Sequence, residues 1–187
     1  DLVDSYGLAP EKIAVVHSGY DERCQPLDRN DPNLLEIQKR YKLPFKFILS
    51  FATFEPRKNL LSVIEAYEEL VKQGGEAAKY HLVLAGSPGW ERRELYHRVR
   101  TSPAREAIHL IGFVAEADKP ALYGLASVLV YPSLYEGFGF PPLEAMACGV
   151  PVIVSHSSSL PEIVGDAGIL IDPYRPQELL DALSALL

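Results

Sequence analysis

Val128 to Val154 reads VLVYPSLYEGFGFPPLEAMACGVPVIV, and this segment carries the strongest signal of fold class. It begins with an aliphatic run, Val128 to Tyr131, and ends with another, Pro151 to Val154; such runs are typical of strands buried on both faces. Between them, Pro142 to Ala147 is predicted to be a short helix, because proline suits the first helical turn and Gly149 ends it. The segment therefore predicts a strand, a helix and a second strand.

The same alternation continues over nearly the whole chain. We predict further strands at about Ile13–Val16, Phe47–Phe51, His81–Ala85, Ile108–Leu110 and Gly168–Ile171. We predict further helices at about Pro32–Tyr41, Asn59–Lys72, Glu91–Arg100, Pro120–Ala126, Leu160–Val164 and from Pro176 to the end. This pattern indicates an α/β fold, a Rossmann-like doubly wound parallel sheet flanked by helices. Ligands of such sheets bind at the carboxyl ends of the strands, so the loops there are expected to contain the functional residues.

Length, charge and cysteine content exclude several classes of protein. The 187 residues suffice for one domain, and 18 basic against 25 acidic residues give a net charge of −7. That sign is wrong for a chain whose overall field would attract nucleic acid or an anionic membrane. No apolar run approaches the roughly 18 residues of a transmembrane helix. Cys24 and Cys148 are too few for a disulfide scaffold and favour a reduced, cytoplasmic setting.

The segment from Glu136 to Pro151, EGFGFPPLEAMACGVP, has the highest density of residues suited to binding or catalysis, and it begins with a glycine-rich loop. Gly137 and Gly139 bracket Phe138, so the backbone can turn sharply and present N–H groups to a ligand. We expect Glu144 in the first turn of the helix that follows and Glu136 on the loop, with both carboxylates able to face one cleft. The alternative is that Glu144 only complements the helix dipole and Glu136 is solvated.

FEPRKN, Phe54 to Asn59, is the second signal. Arg57 and Lys58 precede a predicted helix for which Asn59 is a plausible N-cap. Free N–H groups and the helix dipole favour an anion at such a position, so a phosphate or diphosphate is the expected guest. The alternative is an ordinary exposed basic pair.

Other signals are weaker, and several motifs are absent from the sequence. Gly112 and Phe113 could offer backbone groups or a ring to a base, although Phe113 also fits a core position. The five histidines have no metal-like spacing. The sequence contains neither GxxxxGK[ST] nor GxGxxG, which disfavours a nucleoside triphosphatase and a dinucleotide dehydrogenase. It also has no Asp-x-Asp to hold a metal against a diphosphate, so we expect no metal and no cofactor.

These residues together resemble a known family, the retaining, nucleotide-sugar-dependent glycosyltransferases of family 4, also called glycosyl transferases group 1, of the two-domain GT-B architecture. The most specific part is PSLYEGFGFPPLEAMACGVPVI, Pro132 to Ile153, which has two glutamates separated by seven residues. FATFEPRKNL resembles the family's phosphate loop, and KIAVVHSGYD resembles the crossover from the N-terminal domain. LPEIVGDAGILIDP, Leu160 to Pro173, resembles the closing part of the C-terminal, donor-binding domain.

The resemblance implies a role for each of these residues. Arg57 and Lys58 would bind the donor diphosphate, and Glu144 would bind the ribose hydroxyls. Glu136, as the catalytic carboxylate, would hold the sugar hydroxyls beside the reacting carbon, together with the loop amides of Gly137, Phe138 and Gly139. Ala52 and Thr53 stand where many members have Gly-Arg, so Arg57 would replace one usual cation. Thr53 before EPRKN is similar to bacterial mannosyltransferases and suggests GDP-mannose over a UDP-sugar.

The resemblance also implies a domain boundary and the partners of the protein. Residues 1–21 would be the end of the N-terminal domain, and residues 22–187 the donor-binding domain, truncated at its last helices. Because the chain starts at Asp1 without a methionine, we expect a piece of a longer protein. A glycan or lipid-linked acceptor, and any peripheral contact with the inner membrane, would come through the missing domain, without which the piece would be inactive. A sugar-nucleotide epimerase and a non-catalytic nucleotide-sugar module stay open as alternatives.

Overall fold

A six-stranded parallel sheet forms the centre of the protein, seen here in a computed structural model that describes residues 2–28, 30–89 and 92–187. The strand order is β3-β2-β1-β4-β5-β6, the order of the Rossmann fold. The strands are β1 Phe47–Phe51, β2 His81–Ala85, β3 Ile108–Gly112, β4 Val128–Tyr131, β5 Val152–Ser155 and β6 Ile169–Ile171. The predicted doubly wound α/β fold is thereby confirmed.

Helices cover both faces of this sheet. They are α2 Pro32–Arg40, α3 Leu60–Gln73, α4 Arg92–Thr101, α5 Lys119–Leu125, α6 Phe140–Ala147, α7 Leu160–Val164 and α8 Pro176–Leu186. The helix before them, α1 Leu2–Tyr6, has no buried residue and belongs to neither core. One core lies between the sheet and α2, α5, α6 and α7, and the other between the sheet and α3, α4 and α8. None of the helices in the described ranges combines the length and the apolar character needed to cross a membrane.

Side chains of β4 show why the central strands read as continuous apolar runs. Leu129 and Tyr131 enter one core, whereas Val128 and Val130 enter the other. All four are at most 3% exposed. Since burying one such side chain stabilises the fold by about 1.5 to 3 kcal/mol, both faces of the strand contribute to holding the sheet between its helices.

The strand order reverses direction between β1 and β4, and this is the feature that positions the site. From β1 the chain moves outward to β2 and β3, and from β4 it moves the other way to β5 and β6. The loops after β1 and β4 therefore diverge and leave a crevice at the carboxyl edge of the sheet, where doubly wound folds bind ligands.

Most of the predicted elements are found within a few residues, but the strand predicted at Ile13–Val16 is wrong. Only the helix α1 and a short 3-10 turn, Pro10–Lys12, occur between residues 2 and 21. Val15 and Val16 are 75% and 88% exposed. A strand needs a neighbour for its backbone hydrogen bonds, and no strand of the described sheet pairs with this segment. The helix predicted at Glu91–Arg100 corresponds to α4, which the structure describes from Arg92; Glu91 lies outside the described ranges.

Asn59 does not cap α3 in the predicted way. It occupies the N-cap position, but with a left-handed φ of 56° and no hydrogen bond from its side chain to the helix backbone. Its side-chain amide instead donates to the carbonyls of Pro132 at 3.3 Å and Pro173 at 2.8 Å. Asn59 thus ties the loop after β1 to the loops after β4 and β6.

Candidate functional site

Lys58 and Glu136 form a buried ion pair in the crevice between β1 and β4. Lys58 ends the 3-10 turn Pro56–Lys58 after β1, and Glu136 lies in the loop after β4. Both side chains are 9% exposed, and the Lys58 Nζ lies 2.5 Å from the Glu136 Oε1. The ammonium also donates to the Tyr131 hydroxyl at 2.7 Å. The solvated alternatives for Glu136 and Lys58 are therefore excluded.

The surroundings of this pair set its ionisation. Burial raises the pKa of the Glu136 carboxyl, but the hydrogen bond and charge of Lys58 outweigh it, so the net pKa lies below the usual value. Burial and the charge of Glu136 together raise the pKa of Tyr131. At neutral pH the carboxylate is ionised and the phenol is neutral, which lets Tyr131 accept a hydrogen bond from the ammonium.

Arg57 joins the same cluster from a more exposed position. Its NH1 lies 3.0 Å from the Glu136 Oε2 and its Nε lies 2.9 Å from the Glu55 Oε2, while the side chain is 45% exposed. NH1 also donates to the carbonyl of Tyr135 at 3.2 Å. Burial lowers the pKa of Arg57, but the charge of Glu136 more than compensates, and the net pKa is raised. Each oxygen of Glu136 thus holds one cation.

Two serines from the loop between β5 and α7 hold the backbone around Glu136. The Glu136 N–H donates to the Ser158 Oγ at 2.8 Å. The Ser159 hydroxyl donates to the carbonyl of Glu136 at 3.1 Å and to that of Phe138. These bonds fix the loop whose amides were predicted to face the sugar.

Within this loop Gly139 and Gly137 differ. Gly139 has a φ of 131°, which L side chains rarely adopt, and a Cβ there would lie 2.8 Å from the Cδ2 of Leu160. A Cβ on Gly137 would meet nothing within 4 Å. The predicted need for glycine therefore applies to Gly139 on steric grounds and not to Gly137.

An open cavity of about 450 Å³ brings most of the predicted residues together. It lies between the end of β1 with the loop that follows and the end of β4 with the loop and helix that follow. It is lined by Phe51, Ala52, Thr53, Lys58, Tyr131, Glu136, Gly137, Phe138, Gly139, Phe140 and Pro141. Its size is within the range for a small ligand or a large part of one.

A second cavity, of about 210 Å³, shares Phe51, Ala52 and Thr53 with the first. It opens between the loops after β1, β2 and β3 and includes Ser87 and Phe113. Phe113 is 67% exposed, so the alternative that it belongs to the core is wrong. The two cavities are therefore neighbours at the carboxyl edge of the sheet, and we call them together the depression.

Glu144 is set back from this depression, and the prediction that it lies in the first helical turn is wrong. α6 begins at Phe140, so Glu144 falls in the second turn. Its carboxylate is buried and accepts a hydrogen bond from the Tyr123 hydroxyl at 2.8 Å. Tyr123 contacts Phe51 edge-on, with ring centroids 5.8 Å apart. Phe51 lines both cavities and contacts the tyrosine that binds Glu144, whereas Glu144 itself lines neither cavity.

Sequence reasoning missed several residues of this site. The sequence predicts only a strand position for Tyr131 and no role for Ser158 or Ser159. Tyr131 could have been suspected, because it ends a central strand at the ligand-binding edge. The serines, 22 or more residues from Glu136 in sequence, give no local signal. Gly112, predicted for the base region, has a φ of 71° and faces open space.

The described residues include a larger cavity elsewhere but no candidate metal site. A cavity of about 660 Å³ lies between α3 and α8, and it contains none of the predicted site residues. No group of three or more potential metal ligands is found in residues 2–28, 30–89 and 92–187.

Curated proteins similar to this chain include several that are named as mannosyltransferases. The O-antigen chain mannosyltransferase B of Escherichia coli is 41% identical over 160 residues, which cover 85% of this chain and 40% of that protein. The chain spans well under half the length of the curated relatives it matches first.

Comparison with solved structures confirms the fold as that of GT-B glycosyltransferases. Anabaena Alr3699/HepE, crystallised with UDP and glucose, superposes with a TM-score of 0.80 at 23% identity, over 96% of this chain and 48% of that one. The C-terminal domain of LpcC from Francisella tularensis, a glycosyl transferase group 1 protein, gives a TM-score of 0.74 at 26% identity, over 90% of this chain and 87% of that one.

A protein-family model shows to which family the chain belongs. The model described as glycosyl transferases group 1 matches residues 35–187, which include every strand of the sheet and both loops that form the Lys58–Glu136 pair. On this match, the chain belongs to the glycosyl transferases group 1 family.

Proposed function

We propose that this chain is the donor-binding domain of a retaining family 4 glycosyltransferase that moves a mannose or glucose-type sugar from a nucleotide diphosphate sugar to a glycan or other acceptor. The observation that carries this proposal is the convergence of Lys58, Arg57 and Glu136 in the crevice between β1 and β4. The mannosyltransferase name of the 41% identical relative favours mannose.

The diphosphate is assigned to Lys58 and Arg57, which both hold Glu136 in the structure. We infer an exchange of partners on binding. The phosphate oxygens take over the two cations, and Glu136 becomes available to accept hydrogen bonds from the sugar hydroxyls. As the diphosphate departs and gains charge, the same cations stabilise it without a metal ion.

We assign the remaining parts of the donor to the two cavities and to the residues behind them. Gly137, Phe138 and Gly139 line the first cavity, and we assign their amides to the sugar hydroxyls. The base would enter the second cavity, near Gly112 and against Phe113. Glu144, held by Tyr123 behind Phe51, is assigned to the ribose hydroxyls, and this assignment requires the ribose to lie against Phe51.

The acceptor is assigned to a part of the protein outside these 187 residues, as is any peripheral contact with the inner membrane. The acceptor hydroxyl would attack from the face that the diphosphate leaves, so that the anomeric configuration is retained. We expect the domain alone to bind the donor in the cytoplasm and not to transfer sugar. Neither an epimerase nor a non-catalytic module is favoured by the names of the relatives.

Calorimetry with nucleoside diphosphates tests this proposal. A charge-assisted hydrogen bond contributes about 1.5 to 3 kcal/mol, so Lys58→Ala should weaken GDP or UDP binding by roughly 10- to 150-fold. Lys72→Ala is the matched control, because Lys72 is an exposed lysine on α3 that pairs with Glu69. If Lys58→Ala, shown to be folded by circular dichroism, binds as tightly as the unchanged chain, the phosphate role is rejected.

A further inference from the structure

We propose that Ser158 and Ser159 are positioning residues, which hold the loop after β4 in the shape that binds the sugar of the donor. This inference rests on the proposed function, because it needs a sugar nucleotide in the first cavity. It adds two residues to that function and names what they determine, namely how much the sugar contributes to donor affinity.

Ser158 has a backbone conformation that serine rarely adopts. Its φ is 54°, in the left-handed region, which costs energy for any residue with a Cβ. Residues held in this way cluster at functional sites, where surrounding contacts compensate the strain. The Ser158 hydroxyl makes such contacts, because it accepts from the Glu136 N–H at 2.8 Å and donates to the carbonyl of Ser157 at 2.8 Å. The strained backbone thus places this hydroxyl against the loop after β4.

Ser159 departs from the usual behaviour of a helix N-cap. It occupies the N-cap position of α7, where a serine side chain ordinarily accepts a hydrogen bond from an N–H of the first helical turn. The Ser159 side chain makes no such bond. Its hydroxyl instead donates to the carbonyl of Glu136 at 3.1 Å and to that of Phe138. α7 therefore lacks a stabilising cap, and the hydroxyl binds the neighbouring loop instead.

Both departures act on the same residue of the loop after β4. Together the two hydroxyls bind the N–H and the C=O of Glu136, the residue assigned to the sugar hydroxyls. Ser155 extends the contact to the start of this loop, since its hydroxyl donates to the carbonyl of Ser133 at 2.5 Å. Natural proteins break local rules of stability mainly at functional sites, and here two broken rules meet at one carboxylate-bearing residue.

The next amides of the loop stay free for a ligand. Among the described residues, no acceptor binds the N–H of Gly137, Phe138 or Gly139, and all three residues line the first cavity. Because the serines hold the backbone of Glu136 and the carbonyl of Phe138, these peptide planes cannot rotate without breaking hydrogen bonds. A bound sugar is thereby spared the entropy of ordering the groups that bind it.

Calorimetry with GDP-mannose and GDP tests the role of the serines, since the two ligands differ only in the mannosyl group. In Ser158→Gly and in Ser159→Ala, GDP-mannose binding should weaken by roughly 2- to 13-fold, the scale of one hydrogen bond. GDP binding should change by less than about twofold, because Lys58 and Arg57 are untouched. The affinity ratio of the two ligands therefore measures the contribution of the serines to sugar binding.

Three further variants separate positioning from a structural role. Ser158→Gly relieves the left-handed strain, so its Tm should stay within about 2 °C of the unchanged chain, or rise, although sugar binding falls. Ser159→Thr keeps the hydroxyl and should bind GDP-mannose within about twofold of the unchanged chain. Ser157→Gly is the matched control on the same loop, because Ser157 contributes its carbonyl, and not its side chain, to these contacts.

The possible results lead to different conclusions. Equal weakening of GDP-mannose and GDP binding would show that the serines only support the fold, and it would reject the inference. Unchanged GDP-mannose binding in either variant would reject the role of that serine. In both cases GDP binding that depends on Lys58 leaves the proposed function standing. A chain that binds GDP and not GDP-mannose would also overturn the inference, and if neither ligand binds, the proposed function fails as well.

Discussion

At the scale of single residues, Glu136 has two roles that compete with each other. In the structure each of its oxygens neutralises one cation of the site. A donor diphosphate needs those same cations, so it must displace the carboxylate before it can bind. The buried ion pair is therefore a stabilising contact in the free protein and an obstacle to the first step of donor binding.

Glu136→Gln should consequently bind GDP more tightly than the unchanged chain, by about tenfold, on the scale of one charge-assisted hydrogen bond. The free variant should be less stable by about 3 to 5 kcal/mol, because Lys58 keeps its buried charge without a charged partner. Calorimetry and chemical denaturation measure the two effects. Glu162→Gln, an exposed acid on α7, is the control. Unchanged or weaker GDP binding would show that Glu136 does not compete with phosphate.

At the scale of elements, the loop after β4 is shaped by Gly139 and by the serines that hold it. An alanine at position 139 would have to adopt a φ of 131° and approach Leu160. The loop after β5 supports this segment through Ser158 and Ser159, so the sugar side of the site depends on two loops at once.

Gly139→Ala should therefore lower stability by about 1 to 3 kcal/mol, the cost of a strained backbone conformation, or roughly 2 to 12 °C in Tm. It should also weaken binding of GDP-mannose more than binding of GDP, since the sugar lies against this loop. Gly137→Ala is the matched control two residues away, because a Cβ there meets nothing within 4 Å. Equal effects of the two substitutions on Tm would disprove the steric role of Gly139.

β2 and β3 are joined at their other end by a histidine pair. The His81 Nδ1 lies 2.8 Å from the His109 Nε2, and the rings stack 5.0 Å apart. Burial makes the largest contribution to lowering the pKa of His109, and the charge of His81 lowers it further. A histidine with a lowered folded-state pKa stabilises the fold above its unfolded pKa of about 6.5, and this contribution is lost as the pH falls below that value.

Thermal melts between pH 8 and pH 5 test this prediction. The unchanged chain should lose stability on acidification more steeply than His109→Gln, which removes the titrating group. His97→Gln, on the exposed face of α4, should follow the unchanged chain. If His109→Gln shows the same pH dependence as the unchanged chain, the histidine pair does not control acid stability.

At the scale of the whole molecule, the sequence predicts the parallel sheet and its strand positions well. Strands buried on both faces, such as Val128–Tyr131, consist of consecutive apolar residues, so the sequence alone indicates them. The strand at Ile13–Val16 fails because such a run becomes a strand only where a neighbouring strand pairs with it. Lys58 and Glu136 were found separately from local signals, but their mutual ion pair depends on the strand order that brings β1 and β4 together.

A ligand in the crevice should also stabilise the whole domain, because it binds the folded chain and not the unfolded one. At 100 times its Kd, a donor nucleotide adds about 2.7 kcal/mol to the free energy of unfolding. For a chain of this size that corresponds to a rise of roughly 5 to 11 °C in Tm. Scanning calorimetry with and without GDP measures the shift, which should fall to about 1 to 6 °C for Lys58→Ala at the same nucleotide concentration, because its binding is roughly 10- to 150-fold weaker.

A crystal structure of the chain with GDP-mannose tests the central claim most directly. The proposed function predicts that diphosphate oxygens lie within about 3.2 Å of the Lys58 Nζ, and that Glu136 has left the two cations for the sugar hydroxyls. A donor bound away from the crevice between β1 and β4, or a Lys58–Glu136 pair that persists beside a bound diphosphate, would contradict it.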